Sequence, residues 1–126
     1  MGKELIVVTK AKDLCSYILT ITEKSPKRFR FTLTSRMQNL AMDIIEKIYR
    51  ANDVFVQGDS DMRIRINMQH EALTATKLLG YIALLASEQG AILFKQYEQI
   101  TKMVSDVQNL IGAWIKSDRE RFGAVG

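Results

Sequence analysis

FTLTSRMQNLAMDIIEKIYRAND, residues 31–53, is the stretch whose reading decides the fold. Leu33, Met37, Leu40, Ile44, Ile48 and Ala51 recur at intervals that alternate between four and three. Such intervals line side chains along one face of a helix. Met42, Ile45 and Tyr49 form a second apolar stripe beside the first. The spacing predicts a helix over about 32–52 that is apolar across more than the narrow seam one partner would need. Its approach, KSPKRFRFTLTSR (24–36), holds Lys24, Lys27, Arg28, Arg30 and Arg36 without an acidic residue among them, and interleaves Phe29 and Phe31.

The flanking segments repeat the pattern. Val7, Ala11, Leu14, Ile18 and Ile21 predict a helix over roughly 5–24, closed by Pro26 because the residue before a proline avoids the helical region. Gly58, Asp59, Ser60 and Asp61 form the clearest turn, with an aspartate or serine placed to cap the next helix. That helix, over about 60–88, carries Met68, Ala72, Ala75, Leu79, Ile82 and Ala86, widened by Leu78, Tyr81, Leu84 and Leu85, and Gly90 is its stop signal. A fourth, over about 94–121, shows Tyr97, Ile100, Val104, Val107, Ile111 and Trp114, and Gly123 to Gly126 read as a frayed tail. Short connections make successive helices antiparallel neighbours. The expected architecture is all-α, an up-down-up-down four-helix bundle forming one domain over 1–126.

Composition agrees and narrows the function. The chain has 126 residues and a single proline, with 47% apolar and 25% charged residues, so it reads as folded rather than disordered. Its net charge is +4, and the 24–36 stretch alone carries five positive charges, so the remainder sums to −1. The basic character is therefore local, which points to an acidic partner more than a uniformly basic surface does. A lone cysteine, Cys15, excludes an internal disulfide framework and is expected in the core. LLGYIALLA (78–86) is far too short to span a membrane, and MGKELIVVTK lacks a signal-peptide pattern, while Ile6 stands where a myristoylation signal wants Ser or Thr. A cytoplasmic location is the expectation.

The 31–53 segment resembles the signature helix of a family of small bacterial and phage four-helix bundles. That family includes proteins encoded in 23S rRNA intervening sequences and the accessory variability determinant (Avd) of diversity-generating retroelements. Phe31, Leu33, Arg36, Ala41, Ile44, Ile45, Glu46, Ile48, Ala51 and Asn52 carry the resemblance, and Gly112, Trp114 and Ile115 in VQNLIGAWI (107–115) look like the Avd ending. The resemblance implies a basic bundle that forms a pentameric ring, binds nucleic acid and associates with a reverse transcriptase, helping it use its template RNA. In such a ring the local basic patch becomes a collar, and the doubled apolar stripes become subunit contacts.

Enzyme chemistry finds little footing. His70 is the one histidine, and MQHEAL around it lacks the Glu-x-x-His pairs of di-iron bundles, so a half-exposed helical residue is the expectation. Cys15 has no neighbouring charge pattern to activate it, and no GxxxxGK[ST] stretch is present. Asp43, Glu46, Asp118 and Glu120 read as solvated partners for Lys47, Arg50, Arg119 and Arg121. No catalytic residue, metal or cofactor is expected.

The 24–36 stretch is open to two readings. Lysines and arginines neutralise phosphates and release counterions, and exposed phenylalanines stack on unpaired bases; equally, a charge run can be a solvated turn. Phe31 is expected to plug the core, as the start of the period continued by Leu33 and Met37, and Phe29 to lie against the bundle end. Lys24, Lys27, Arg28, Arg30 and Arg36, with Lys95, are expected at one end of the bundle, and Arg63, Arg65, Lys116, Arg119 and Arg121 at the other. Trp114 is expected as a buried anchor. Met42, Ile45, Tyr49, Tyr81 and Leu84 are the candidate subunit contacts. Together these predict a basic accessory protein that binds RNA or DNA, partners a reverse transcriptase and forms a homo-oligomer. The alternative is a protein–protein scaffold of the same fold.

Overall fold

The computed structural model describes residues 3–123, with side chains from residue 6 onward. Four helices make up nearly all of it: α1 (Lys3–Thr22), α2 (Ser35–Asp53), α3 (Asp59–Gln89) and α4 (Phe94–Phe122). They pack as a closed ring, α1 on α2, α2 on α3, α3 on α4 and α4 on α1. This is the predicted four-helix bundle. The tail residues Ala124, Val125 and Gly126, read above as frayed, lie outside the described residues.

The core follows the apolar stripes on three helices. Val7, Ala11, Leu14 and Ile18 of α1, Met37, Leu40, Ala41, Ile44, Ile48 and Ala51 of α2, and Ile100, Val104, Val107, Ile111 and Trp114 of α4 are all buried. Cys15 is buried too, and desolvation pushes its thiol above the ordinary range. The folded chain thus holds this proton more tightly than the unfolded chain. Between the two values only the unfolded thiol ionises, so stability falls as pH rises through that window. Cys15 is expected to resist a thiol reagent at pH 8 in buffer and to react stoichiometrically in denaturant; prompt labelling of the native protein would show the site to be open.

On α3 the seam is rotated from the predicted one. Met62, Arg65, Gln69, Ala72, Thr76, Leu79, Ala83 and Ala86 are buried at intervals of three and four, with Ile66 buried beside Arg65. Met68, Ala75 and Ile82 are only partly buried beside them. At the start of α3 the expected Asp or Ser cap is not used. Gly58 takes the cap position, and the Asp61 carboxylate accepts from the Gln57 amide at 3.0 Å. Gly90 ends the helix as expected, in the left-handed conformation at φ 86°, with the Ala91 amide reaching back to the Ala86 carbonyl at 2.8 Å.

Register between the helices is fixed by a few side chains. Lys47 of α2 pairs with Glu71 of α3 at 3.5 Å, and Gln38 of α2 donates to the Thr22 hydroxyl of α1 at 2.9 Å. At 1.5 Å per residue, α1 and α2 span about 30 Å, whereas α3 and α4 span about 45 Å. At the α2 position the shortfall is made up by residues 27–34, of which 30–34 pack on α3 and Arg28 reaches Gly90 just past its end. Those residues are the basic stretch.

Candidate nucleic-acid interface

The stretch that opens as KSPKRFRFTLTSR is not a loop. After Pro26 the chain makes a 3₁₀ turn (Lys27–Phe29), a π-helical turn (Arg30–Thr34) and then α2 without a break. A π turn is wider than an α turn and is often found where a helix carries function. Its effect here is to fix which way each aromatic faces. Phe29 precedes Leu33 by four residues and is partly buried with it against the core. Phe31 lies only two residues from Leu33, about 200° round a helix, and is 86% exposed. The core-plug expectation for Phe31 is therefore wrong, and Phe29 occupies that place.

The end holding this stretch, the upper end, also holds the close of α1, the close of α3 and the start of α4. Lys24, Lys27, Arg28, Arg30 and Arg36 are all exposed, and none is in an ion pair among the described residues. The Arg28 guanidinium lies 4.4 Å over the Phe29 ring, which holds it near the bundle end. Ser25 donates to the Ala91 carbonyl at 2.6 Å and ties the stretch to the α3–α4 turn. Lys95 is exposed on the first turn of α4; Glu23, Glu88 and Glu98 are the exposed acids nearby in sequence. A cleft of about 300 Å³ opens at this end, lined by Glu23 as well as by Lys27, Arg30, Thr34 and Gln38. The Thr34 hydroxyl is buried there without a hydrogen-bond partner. Lys27 and Arg30 are cations suited to phosphate oxygens, set beside the Glu23 carboxylate and a Gln38 amide that already donates to Thr22.

The lower end is different. Arg63, Lys116 and Arg119 are exposed, but Arg65 is 4% exposed and cannot reach a phosphate. Its Nε donates to Asp118 Oδ2 at 2.6 Å and its second terminal nitrogen to Oδ1 at 3.2 Å. Gln69 Nε2 adds a third donor to Oδ2 at 2.7 Å, and the guanidinium sits 5.2 Å from the centre of the Trp114 ring. Asp118 is thus a buried counter-ion rather than a solvated one, and Trp114 is the buried anchor expected. Arg121 is drawn to the same carboxylate at 3.7 Å. Exposed Asp53, Asp59 and Glu120 further offset the charge there. The net basic surface belongs to the upper end.

The candidate contact residues do not form one patch. Met42, Ile45 and Tyr49 follow Gln38 at 4, 7 and 11 residues and so lie on the flank of α2 that faces α1. Leu19 is exposed on α1 near them, Met42 is exposed, and Tyr49 is 65% exposed, while Ile45 is partly buried. Tyr81 and Leu84 are on α3, on the other side of α2. Tyr81 is exposed and Leu84 half-buried. His70 is exposed, beside Lys47, Asn67 and Glu71 in a shallow groove. Among the described residues no cluster of three or more His, Cys, Asp or Glu could hold a metal, and no helix is long and apolar enough to cross a membrane.

Fold and surface together define a small bundle with one strongly basic end. The family model described as bAvd-like matches residues 5–118, and the chain belongs to that family. A solved structure from the S23 ribosomal protein family, a protein of unknown function from Bacteroides thetaiotaomicron VPI-5482, superimposes with a TM-score of 0.77. It is 21% identical, with 91% of this chain and 99% of that chain covered, a likeness of fold. No curated protein matches the chain.

Proposed function

We propose that this chain is a non-enzymatic accessory protein that binds RNA or DNA through its upper end and associates with a reverse transcriptase. In that role it supports cDNA synthesis in a diversity-generating retroelement, as a cytoplasmic homo-oligomer, the pentamer that the Avd resemblance implies. Membership of the bAvd-like family supports the retroelement setting. The observation that carries nucleic-acid binding is the exposed, unpaired set Lys24, Lys27, Arg28, Arg30 and Arg36, of which all but Lys24 stand on one continuous helical segment. Side chains on a helix keep a fixed spacing, so cations there neutralise phosphates with less ordering cost than cations on a loose turn.

A salt titration of the intact protein against a structured RNA and a duplex DNA tests the reading. Affinity is expected to fall steeply and linearly on a log–log plot. Absence of salt-sensitive binding by folded protein would refute it and leave a protein–protein scaffold. Reverse-transcriptase association is tested separately, by co-purification with a polymerase encoded beside this gene.

Assembly has its own test. The flank formed by Leu19, Met42, Ile45 and Tyr49 is the apolar surface we assign to subunit contact. A Met42→Glu, Tyr49→Glu variant is expected to keep its helicity and to sediment as a monomer. An unchanged mass would move the contact elsewhere, with Tyr81 next to be tested.

A further inference from the structure

We propose that the upper end selects single-stranded over duplex nucleic acid, with Phe31 as a platform on which an unpaired base stacks; this rests on the nucleic-acid reading above. Phe31 is the most exposed large apolar side chain among the described residues. It sits in an ordered helical turn, directly between Arg30 and Thr32, rather than on a loose tip. The fold makes no use of it, since Phe29 and Leu33 fill the core beneath. Leu93 and Phe94 are also exposed at this end, on the turn that Ser25 ties to the basic stretch. Phe94 is held at 5.7 Å from the Tyr97 ring, which limits its freedom before any ligand arrives.

Charge complementarity chooses the occupant. An apolar patch meant for another apolar surface gains nothing from a border of unpaired cations, which must then be desolvated without partners. Here Lys27, Arg28, Arg30 and Arg36 surround Phe31 in sequence, and none is in an ion pair among the described residues. Cations tracking a backbone, with aromatic faces between them, is the arrangement that binds single strands. A duplex offers the same phosphates but hides its base faces in the stack. Only an unpaired strand satisfies the cations and the ring together.

The test uses intact protein, one RNA strand of mixed sequence, and the same strand annealed to its complement, at one salt concentration. Wild type is expected to prefer the single strand. Phe31→Ala is expected to lose about tenfold on the single strand and less than about twofold on the duplex, with an unchanged salt slope. Phe31→Trp is expected to keep the affinity, and its added indole emission to be quenched by the single strand. Equal affinity of wild type for both forms, or equal effects of Phe31→Ala on both, would overturn the inference while leaving phosphate binding intact. An altered oligomeric mass in Phe31→Ala, or loss of polymerase capture with RNA binding unchanged, would give Phe31 to a protein contact instead and also overturn it. Failure of wild type to bind either form would remove the nucleic-acid reading itself.

Discussion

Asp118→Ala is expected to cost about 3–5 kcal/mol of folding stability, because it leaves Arg65 buried and charged without its counter-ion. For a domain whose total stability is on the order of 5–15 kcal/mol, that loss approaches unfolding. Thermal denaturation should fall by roughly 10–20 °C. The geometry gives the reason: Arg65 and Asp118 are 4% and 2% exposed, joined by a two-pronged bond, with Gln69 as third donor. Asp118→Asn keeps the shape and one acceptor, so its loss should be smaller. Arg65→Met should also cost less than Asp118→Ala, since Gln69 and Arg121 still face the carboxylate. Replacing Arg65, Gln69 and Asp118 together by Met, Leu and Leu is expected to recover most of the stability that Asp118→Ala loses, because the buried charges are removed as a pair. Denaturant unfolding followed by circular dichroism reads all four variants. A cost below about 1 kcal/mol for Asp118→Ala would mean that the lower end opens to water and the pair is solvated.

That network also marks where the sequence is hard to read. The apolar stripes of α1, α2 and α4 reveal their helices because nearly every inward position is filled by an apolar residue. On α3 the inward positions include Arg65, Gln69 and Thr76. A search for apolar periodicity steps over them and settles on Met68, Ala75 and Ile82, one position round the helix. Asp118 is hidden likewise, four residues beyond Trp114 on the seam of α4. A signal was nevertheless present. Arg65 is three residues beyond Met62, and in an antiparallel pair the start of α3 meets the end of α4. Opposite charges therefore fall on facing seams at one level, which is the pattern of a buried pair rather than of two solvated charges.

Phe31 was misassigned for a different reason, whereas Phe29 lies against the bundle as expected. The roles of the two depend on a 3₁₀ turn passing into a π turn. Neither turn leaves a period in a window so short, and Phe29, Phe31 and Leu33 alternate as a strand would. Helical spacing from Leu33 points to Phe29, but only once the helix is known to begin before Phe31. The length of α3 supplies that requirement, because its last turns need a covering segment that α2 alone does not reach. Tertiary packing thus decides a local question that propensity leaves open.

Lys27→Glu, Arg28→Glu, Arg30→Glu is expected to have the largest effect on binding. If these three cations each neutralise one phosphate, the log–log salt slope on duplex DNA should fall by about 2.7, three times the value of 0.9 per phosphate. Extrapolated from molar salt to 0.1 M, the same three contacts correspond to a loss on the order of a few hundredfold. The reversal adds repulsion, so a companion variant with glutamine at the three positions separates lost attraction from new repulsion. The glutamine variant should show the slope change, and the glutamate variant a further loss of affinity. Arg28 also stacks on Phe29, a contact worth about 0.5–1 kcal/mol at an exposed site, so both proteins must first be shown to keep wild-type helicity and mass. With those conditions met, an unchanged slope would take the phosphates away from these three residues. The phosphates would then be held by cations the variant leaves in place, Lys24, Arg36 and Lys95 at the upper end or Arg63, Lys116 and Arg119 at the lower end. Lys27, Arg28 and Arg30 would serve only to keep the turn solvated.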